Sequence, residues 1–462
     1  MSSIFEWRDI SLTLKQNTKQ RKLLSHIDGY IKCGQLLGIQ GPSGCGKTSL
    51  INSLTGKVIY SKNLTLEGSI LLNNSKVNAE DFDRKIVCVS QTDQLFSYLT
   101  VRDTLLLSAA FHLPFSTPRH IIEEKVDNSL RLLGLTKVSE TILGSSTRRG
   151  VSGGEYKRVM IGKEMMKDPQ IVFVDEPTSG LDAFQALAVM EAMKVVADSG
   201  KMVIAVVHQP RSSIFSLFDN LLLMTEGKCI YFGPAKRVLH YLERLGYPCP
   251  EHYNPADFYL DLMSVDFRTA DLEVESRIRI DHLILEWSYN KEHFRNHDMQ
   301  EQSLLVEQGG GTDGHEIPRR DMQMIIRPIS MPIFQTVDRR GPSIQQPEES
   351  TLEQAPRDIR TVRKSCPEWI GDFIRLSWRA SVEILRNYGS IAIKTATSLF
   401  FAVILSLVYH GIGFSQRNIQ DRIGVLYFIL VNQVGLQYYM VCFCDCNAEW
   451  GCFSPSVRWL VC

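Results

Sequence analysis

The sequence carries no net charge: 51 basic side chains stand against 51 acidic ones along 462 residues. That balance removes the broad electrostatic case for nucleic-acid binding or a polybasic membrane anchor. The opening residues, MSSIFEWRDI, have no basic stretch followed by an apolar run, so a cleaved secretory leader is not expected. Internal repeats are missing too. The eleven cysteines are an odd number, and Cys33, Cys45, Cys88, Cys229, Cys249 and Cys366 lack the paired spacings of a zinc site or a disulfide framework. The bulk of the chain therefore reads as facing the cytosol, and its length allows two or three domains of about 100–200 residues each.

Charge is also absent locally, and there its absence is informative. Thr395 to Gln416 and Ile423 to Cys444 are each 22 residues without Asp, Glu, Lys or Arg. About 20 apolar residues cross the hydrocarbon core as a helix, so transmembrane helices are expected over 391–413 and 423–444. A pair of buried soluble helices is the other reading, strengthened in the second run by Asn432, Gln433 and Gln437. Before these runs, Trp369, Phe373, Leu376, Ala380, Ile384 and Leu385 recur at helical spacing with Arg375, Arg379 and Arg386 between them. This predicts an amphipathic helix over 367–390 whose basic face lies along the inner membrane surface. Arg386 and Lys394 place positive charge on the near side of the first span, which favours a cytoplasmic N-terminal part. Residues 266–366 read as a linker, disordered from about 290, where GGGTDG, QQPEES and isolated prolines leave too little apolar surface to offset ordering entropy.

Within residues 1–265, β-rich runs (KIVCVS, QIVFVDEP, MVIAVVHQP) alternate with helical stretches, the pattern of a mostly parallel α/β sheet. Between the strand-like QLLGIQ and the helical TSLINSLTG lies Gly41-Pro42-Ser43-Gly44-Cys45-Gly46-Lys47-Thr48, followed by Ser49. Glycines let backbone N–H groups converge on phosphates, the helix N-terminus adds positive potential, Lys47 reaches the β and γ oxygens, and Thr48 offers a hydroxyl to Mg²⁺. The second half of such a site is an acidic pair after an apolar strand, and IVFVDEP supplies Asp175, suited to holding Mg²⁺, and Glu176, suited to orienting or deprotonating water. Ser152 and Glu155 form an S-x-x-E capping box that opens a helix with Gly153 and Gly154 in its first turn.

VSGGEYKR, twenty residues upstream of the acidic pair, resembles the signature of ABC transporter nucleotide-binding domains. The resemblance implies a P-loop (RecA-like) α/β fold with a helical subdomain, followed by the linker and an all-α membrane segment. It implies that Ser152, Gly153, Gly154 and Glu155 bind the γ-phosphate of ATP held by the opposite subunit. It also implies that Gln91 joins Mg²⁺ and senses the membrane part, that Ser179 to Asp182 form a loop crossing the dimer, and that His208 contacts the γ-phosphate. HQPRSSIFSLFDNLLLMTEGKCIYFGP, NPADFYLDLM and LRNYGSIAIKTATSLFFAVILSLVYHGIG resemble the White (G) subfamily of half-transporters. That likeness implies ATP and Mg²⁺ as cofactors and a homodimer, or a heterodimer with another half-transporter. Membrane lipid and a hydrophobic small molecule are the other expected partners, and nucleic acid is not one.

Three departures stand out. Leu14 occupies the place of an adenine-stacking aromatic, Tyr156 stands where family members commonly carry Arg, and the text after about Val434 no longer resembles the family. The tail 445–462 is divergent and cysteine-rich. Cys442, Cys444 and Cys446 admit a C-x-C-x-C metal site or a changed reading frame, and the lack of paired His or Cys spacing favours the second. The family builds its pathway from six helices per half, so the chain reads as ending after the second.

Overall fold

A computed structural model describes residues 3–307, apart from short breaks at 17–18, 61–62, 92–94, 115 and 146–147, and residues 366–408, with four more at 423, 424, 426 and 427. The expected disorder between 308 and 365, nearly all of the expected second span and the cysteine-rich tail lie outside the described residues. Two units divide the chain: Met1–Tyr289 with Arg357–Cys462, and Asn290–Pro356.

Two long strands, β1 (Ile4–Gln16) and β2 (Lys19–Lys32), open the chain. β3 (Leu36–Gln40) leads through the glycine loop into α1 (Lys47–Leu54), and β4 (Leu64–Leu72), β5 (Ser75–Lys76), α2 (Ala79–Lys85) and β6 (Ile86–Val89) come after it. Three helices come next, α3 (Val101–His112), α4 (Arg119–Leu132) and α5 (Gly153–Met165). The chain then returns through β7 (Ile171–Asp175), α6 (Ala183–Asp198), β8 (Met202–Val206), α7 (Ser212–Phe215), β9 (Asn220–Thr225) and β10 (Lys228–Pro234). α8 (Val238–Arg244), α9 (Pro255–Met263) and α10 (Ala270–Glu307) follow. Beyond the linker stand α11 (Cys366–Arg386) and α12 (Tyr388–Val408).

The main sheet has the order β10-β9-β3-β8-β7-β6, parallel from β9 to β6, with β10 antiparallel at the edge. β3 (LLGIQ) and β8 (MVIAV) are buried at every residue, as strands covered on both faces must be. The three apolar runs read from the sequence are β6, β7 and β8. A second, antiparallel sheet of order β2-β1-β4-β5 packs beside it, and Phe5 and Trp7, both fully buried, join the two. Phe5 meets Phe173 of β7 at 6.1 Å between ring centroids, and Trp7 meets Phe232 of β10 at 6.2 Å. The helical subdomain is α3, α4 and α5, whose Leu105, Leu130 and Val159 are buried.

The domain runs past its expected limit at 265. Ile280, Leu283 and Trp287 repeat at helical spacing on α10 and are buried, with Trp287 5.8 Å from the Tyr231 ring and 5.9 Å from that of Tyr241. The first half of α10 is therefore part of the domain rather than linker, and the helix itself continues to Glu307.

Among the described residues no single helix is long and apolar enough to cross a membrane by itself, whereas one bent pair, Gly371–Arg386 with Ile391–Leu407, passes together at an angle of 72°. The expected first span corresponds to α12, whose Ile393, Leu399, Phe400, Val403 and Leu407 are exposed.

Candidate functional site

The parallel strands β3, β8, β7 and β6 are neighbours, and each delivers a motif residue just past its C-terminal end, where open α/β sheets bind ligands. After β3 the glycine loop runs so close to β9 that a Cβ at Gly41 would stand 2.1 Å from the Met224 carbonyl oxygen. Gly46 holds φ at 104°, a left-handed value that suits glycine, and caps α1. The Lys47 side chain is buried and folds back over the loop, donating to the carbonyls of Gly41 (2.9 Å) and Pro42 (2.8 Å). Cys45 lies beside it, and burial pushes its thiol pKa up.

Asp175 ends β7, and Thr48 Oγ1 donates to its Oδ2 at 3.3 Å. The other oxygen, Oδ1, is buried without a hydrogen-bond partner. Burial raises the Asp175 pKa, the Thr48 hydrogen bond opposes this, and the neighbouring Glu176 charge adds to it. A buried carboxylate oxygen with nothing to accept, next to a hydroxyl on the first helical turn, fits the oxygen ligands that a hard divalent cation takes.

Glu176 adopts φ of 49° while its N–H donates to Val206 at 3.1 Å, so the chain is pinned to β8 as it leaves β7. Its two oxygens have different partners. Gln91, after β6, donates from Nε2 to Oε2 at 2.8 Å and also reaches Ser179 Oγ at 3.4 Å. His208, after β8, places Nε2 2.9 Å from Oε1. Three residues from three adjacent strands thus meet on one carboxylate, a cluster that sequence spacing does not reveal.

The signature lies on a separate element. Ser152 caps α5 as expected: its Oγ accepts from Glu155 N at 3.3 Å, and Glu155 Oε2 accepts from Ser152 N at 2.8 Å. Gly154 N donates to Gln185 Oε1 at 3.2 Å, tying this turn to α6. Asp182, expected in a loop, is the N-cap of α6, accepting from Phe184 N at 3.0 Å and Gln185 N at 2.9 Å.

The contacts of two groups of residues were not foreseen from the sequence. Leu95 N donates to the Tyr156 hydroxyl at 2.9 Å, and Lys157 Nζ donates to the Gln91 carbonyl at 3.1 Å, so α5 touches both described ends of the segment after Gln91. In NPADFYLDLM, Asn254 Nδ2 donates to the Pro210 carbonyl at 3.3 Å, and the buried Tyr259 hydroxyl donates to Gln40, the residue before the glycine loop.

The basic residues of α11 do not face outward. Arg379 stacks 4.4 Å over the Phe96 ring and Arg375 donates to the Ala110 carbonyl. Arg386 donates to the Tyr98 carbonyl at 2.9 Å and to Asp103 Oδ2 at 2.8 Å. Phe373, Ile374, Trp378, Ile384 and Leu385 are exposed. Helical periodicity shows two faces, and the basic one, expected against the membrane, is instead the covered one. Guanidinium groups there find carbonyls, a ring and a carboxylate on the nucleotide domain. Arg386→Glu, which sets like charges against each other, is expected to release α11 and expose it to protease about tenfold faster. The exchange Arg386→Glu with Asp103→Arg should recover only part of the protection: the partly exposed pair contributes up to about 1 kcal/mol, while the donor to the Tyr98 carbonyl and the Asp103 cap on Thr100 N are both lost.

The loop after β3, the carboxylates after β7 and the capped α5 make this a P-loop ATPase domain of the ABC type. A family profile described as "ABC transporter" matches residues 24–179, and one described as "ABC-2 type transporter" matches residues 208–355. ABC transporter G family member 7 of Arabidopsis thaliana is 34% identical over 433 residues, which are 92% of this chain and 53% of that protein. The broad substrate specificity ATP-binding cassette transporter ABCG2 of Mus musculus is 31% identical over 427 residues, 91% of this chain and 59% of that protein. Protein white of Drosophila melanogaster is 28% identical over 414 residues, 89% of this chain and 53% of that protein. The chain belongs to the White (G) subfamily of ABC transporters, and it spans between half and three fifths of the length of these curated relatives.

Proposed function

We propose that the chain is the ATP-driven subunit of a G-family transporter, binding ATP with Mg²⁺ between its glycine loop and the Ser152–Glu155 turn of a second subunit. The observation that carries this reading is the meeting of Gln91 and His208 on Glu176, beside Lys47, Thr48 and Asp175. Lys47 exchanges its loop carbonyls for phosphate oxygens, and the backbone N–H groups of residues 43–49 hold the rest of the phosphate chain. Thr48 and Asp175 hold Mg²⁺, which when bound neutralises phosphate charge. Glu176 orients and deprotonates water while Gln91 and His208 fix its carboxylate, His208 being placed to turn toward the γ-phosphate. The Ser152 turn offers a helix N-terminus to an anion of another chain, so the two sites complete each other only in a dimer, with itself or with another half-transporter.

The transported substrate is a lipid, sterol or other hydrophobic small molecule, in keeping with the subfamily resemblance, and the nucleotide domain lies on the cytoplasmic side of a multi-pass membrane segment. A second reading is favoured by the single candidate helix pair among the described residues: the 462 residues act as a regulatory or dominant-negative partner of a full-length half-transporter. The purified chain in lipid is expected to hydrolyse ATP in a Mg²⁺-dependent manner, to give no substrate uptake alone, and to reduce uptake when co-expressed with a compatible half-transporter. Absence of ATP binding would overturn the main reading, and uptake by the 462 residues alone would overturn the second.

A further inference from the structure

We infer that Tyr156 and Lys157 are positioning residues that couple the signature turn of this chain to its own Gln91, and through Gln91 to Glu176. The inference rests on the proposed ATPase reading and adds a regulation to it. Ser152 to Glu155 close the capping box of α5, and the next two residues of the helix make the contacts. Lys157 Nζ holds the Gln91 carbonyl at 3.1 Å, and the Tyr156 hydroxyl accepts from Leu95 N at 2.9 Å. Gln91 in turn donates to Glu176 Oε2 at 2.8 Å. A continuous path therefore runs from α5 through Lys157 and the Gln91 carbonyl to the Gln91 side chain and the Glu176 carboxylate, while Tyr156 holds Leu95 on the far side of residues 92–94.

The direction of the coupling is set by which site each end serves. In the proposed dimer the Ser152 turn faces a phosphate held by the other subunit, whereas Gln91 and Glu176 act on the nucleotide of their own. An anion arriving at the N-terminus of α5 pulls on its first turn, and Tyr156 and Lys157 lie within that pull, one helical position apart. Occupancy of one ATP site thereby adjusts the placement of Gln91 in the other. Tyr accepts a hydrogen bond from an N–H and Arg cannot, so the Leu95 contact depends on the residue this chain carries at 156.

The test uses the full chain in lipid. Tyr156→Phe keeps the ring and removes the acceptor, and Lys157→Gln shortens the reach to the Gln91 carbonyl. Each is expected to lower kcat roughly threefold to tenfold, the range that loss of a single hydrogen bond gives, with KM for ATP unchanged. Any cooperativity in ATP concentration should fall toward none, and the Leu95 amide should exchange faster in Tyr156→Phe. Tyr156→Arg, which brings no acceptor to Leu95 N, should resemble Tyr156→Phe. Unchanged kcat in both variants, or a raised KM at unchanged kcat, overturns the coupling. Should Tyr156→Phe fail to fold, Lys157→Gln decides alone. Wild-type chain that binds no ATP refutes the ATPase reading instead, and the contact itself is then refuted by a Leu95 exchange rate that Tyr156→Phe leaves unaltered.

Discussion

Glu176→Gln is expected to lower ATP turnover by a factor of about 10² to 10⁴, the usual contribution of a general base, while nucleotide stays bound. The carboxylate is held from both sides, by Gln91 Nε2 at 2.8 Å and His208 Nε2 at 2.9 Å, so its position is set by three strands rather than by its own rotamer. An amide of the same shape keeps one acceptor and turns an NH₂ toward the other partner. Against Gln91 that makes two donors face each other, and the water loses its base in any orientation. The loss should therefore appear in single-turnover phosphate release, with equilibrium binding of ATP near the unaltered value. A variant hydrolysing ATP at the original rate in a dimer-competent preparation would show that the base is elsewhere.

Lys47→Ala should act on the other half of the reaction. The ammonium is buried and bonded to two loop carbonyls, and the proposed binding step hands those donors to phosphate oxygens. Hydrogen bonds to charged groups contribute about 1.5–3 kcal/mol, so ATP affinity should fall by roughly 10- to 100-fold. The carbonyls of Gly41 and Pro42 lose their donor as well, and the melting temperature should drop even before nucleotide is added. Titration calorimetry of the full chain measures the first effect and a thermal scan the second. An ATP Kd within twofold of the original would contradict the role given to Lys47.

How far the sequence alone could be read depended on whether the signal was local. The phosphate loop and acidic pair were legible because Gly41 to Thr48 and IVFVDEP are each a strand end with its own punctuation, and strands buried on both faces read as unbroken apolar runs. The antiparallel sheet was not, because its alternation slips. Phe5 and Trp7 keep period two, then the register shifts between Trp7 and Ile10, with Asp9 at φ of 55°, and the buried set resumes at Ile10 and Leu12. A bulge of this kind erases the period-two signal over a thirteen-residue strand. The domain boundary was set too early at 265 because α10 changes character along its length, buried and apolar at Ile280, Leu283 and Trp287 and mostly polar from there to Ser303.

In the site, Gln91 and His208 were named by resemblance. Their convergence on Glu176 comes from the order β8-β7-β6, which no single segment encodes. Tyr156 was noticed only as an unusual residue, since its partner lies 61 positions away. The arginines of α11 show the same gap in another form: helical spacing tells that two faces exist and says nothing of which one is covered.

The break between α11 and α12 turns that docking into leverage. Arg386 is fastened to Tyr98 and Asp103 just before the chain bends by 72°, so the fulcrum sits against the nucleotide domain and the load arm is α12. From Ile391 to Leu407 that arm is roughly 25 Å long at ~1.5 Å per residue, and a rotation of about 10° at the fulcrum carries its far end about 4 Å sideways. Small rearrangements of α3 are thereby magnified with distance from the domain, and the stiffness of the short joint at Asn387 sets how much of the swing survives.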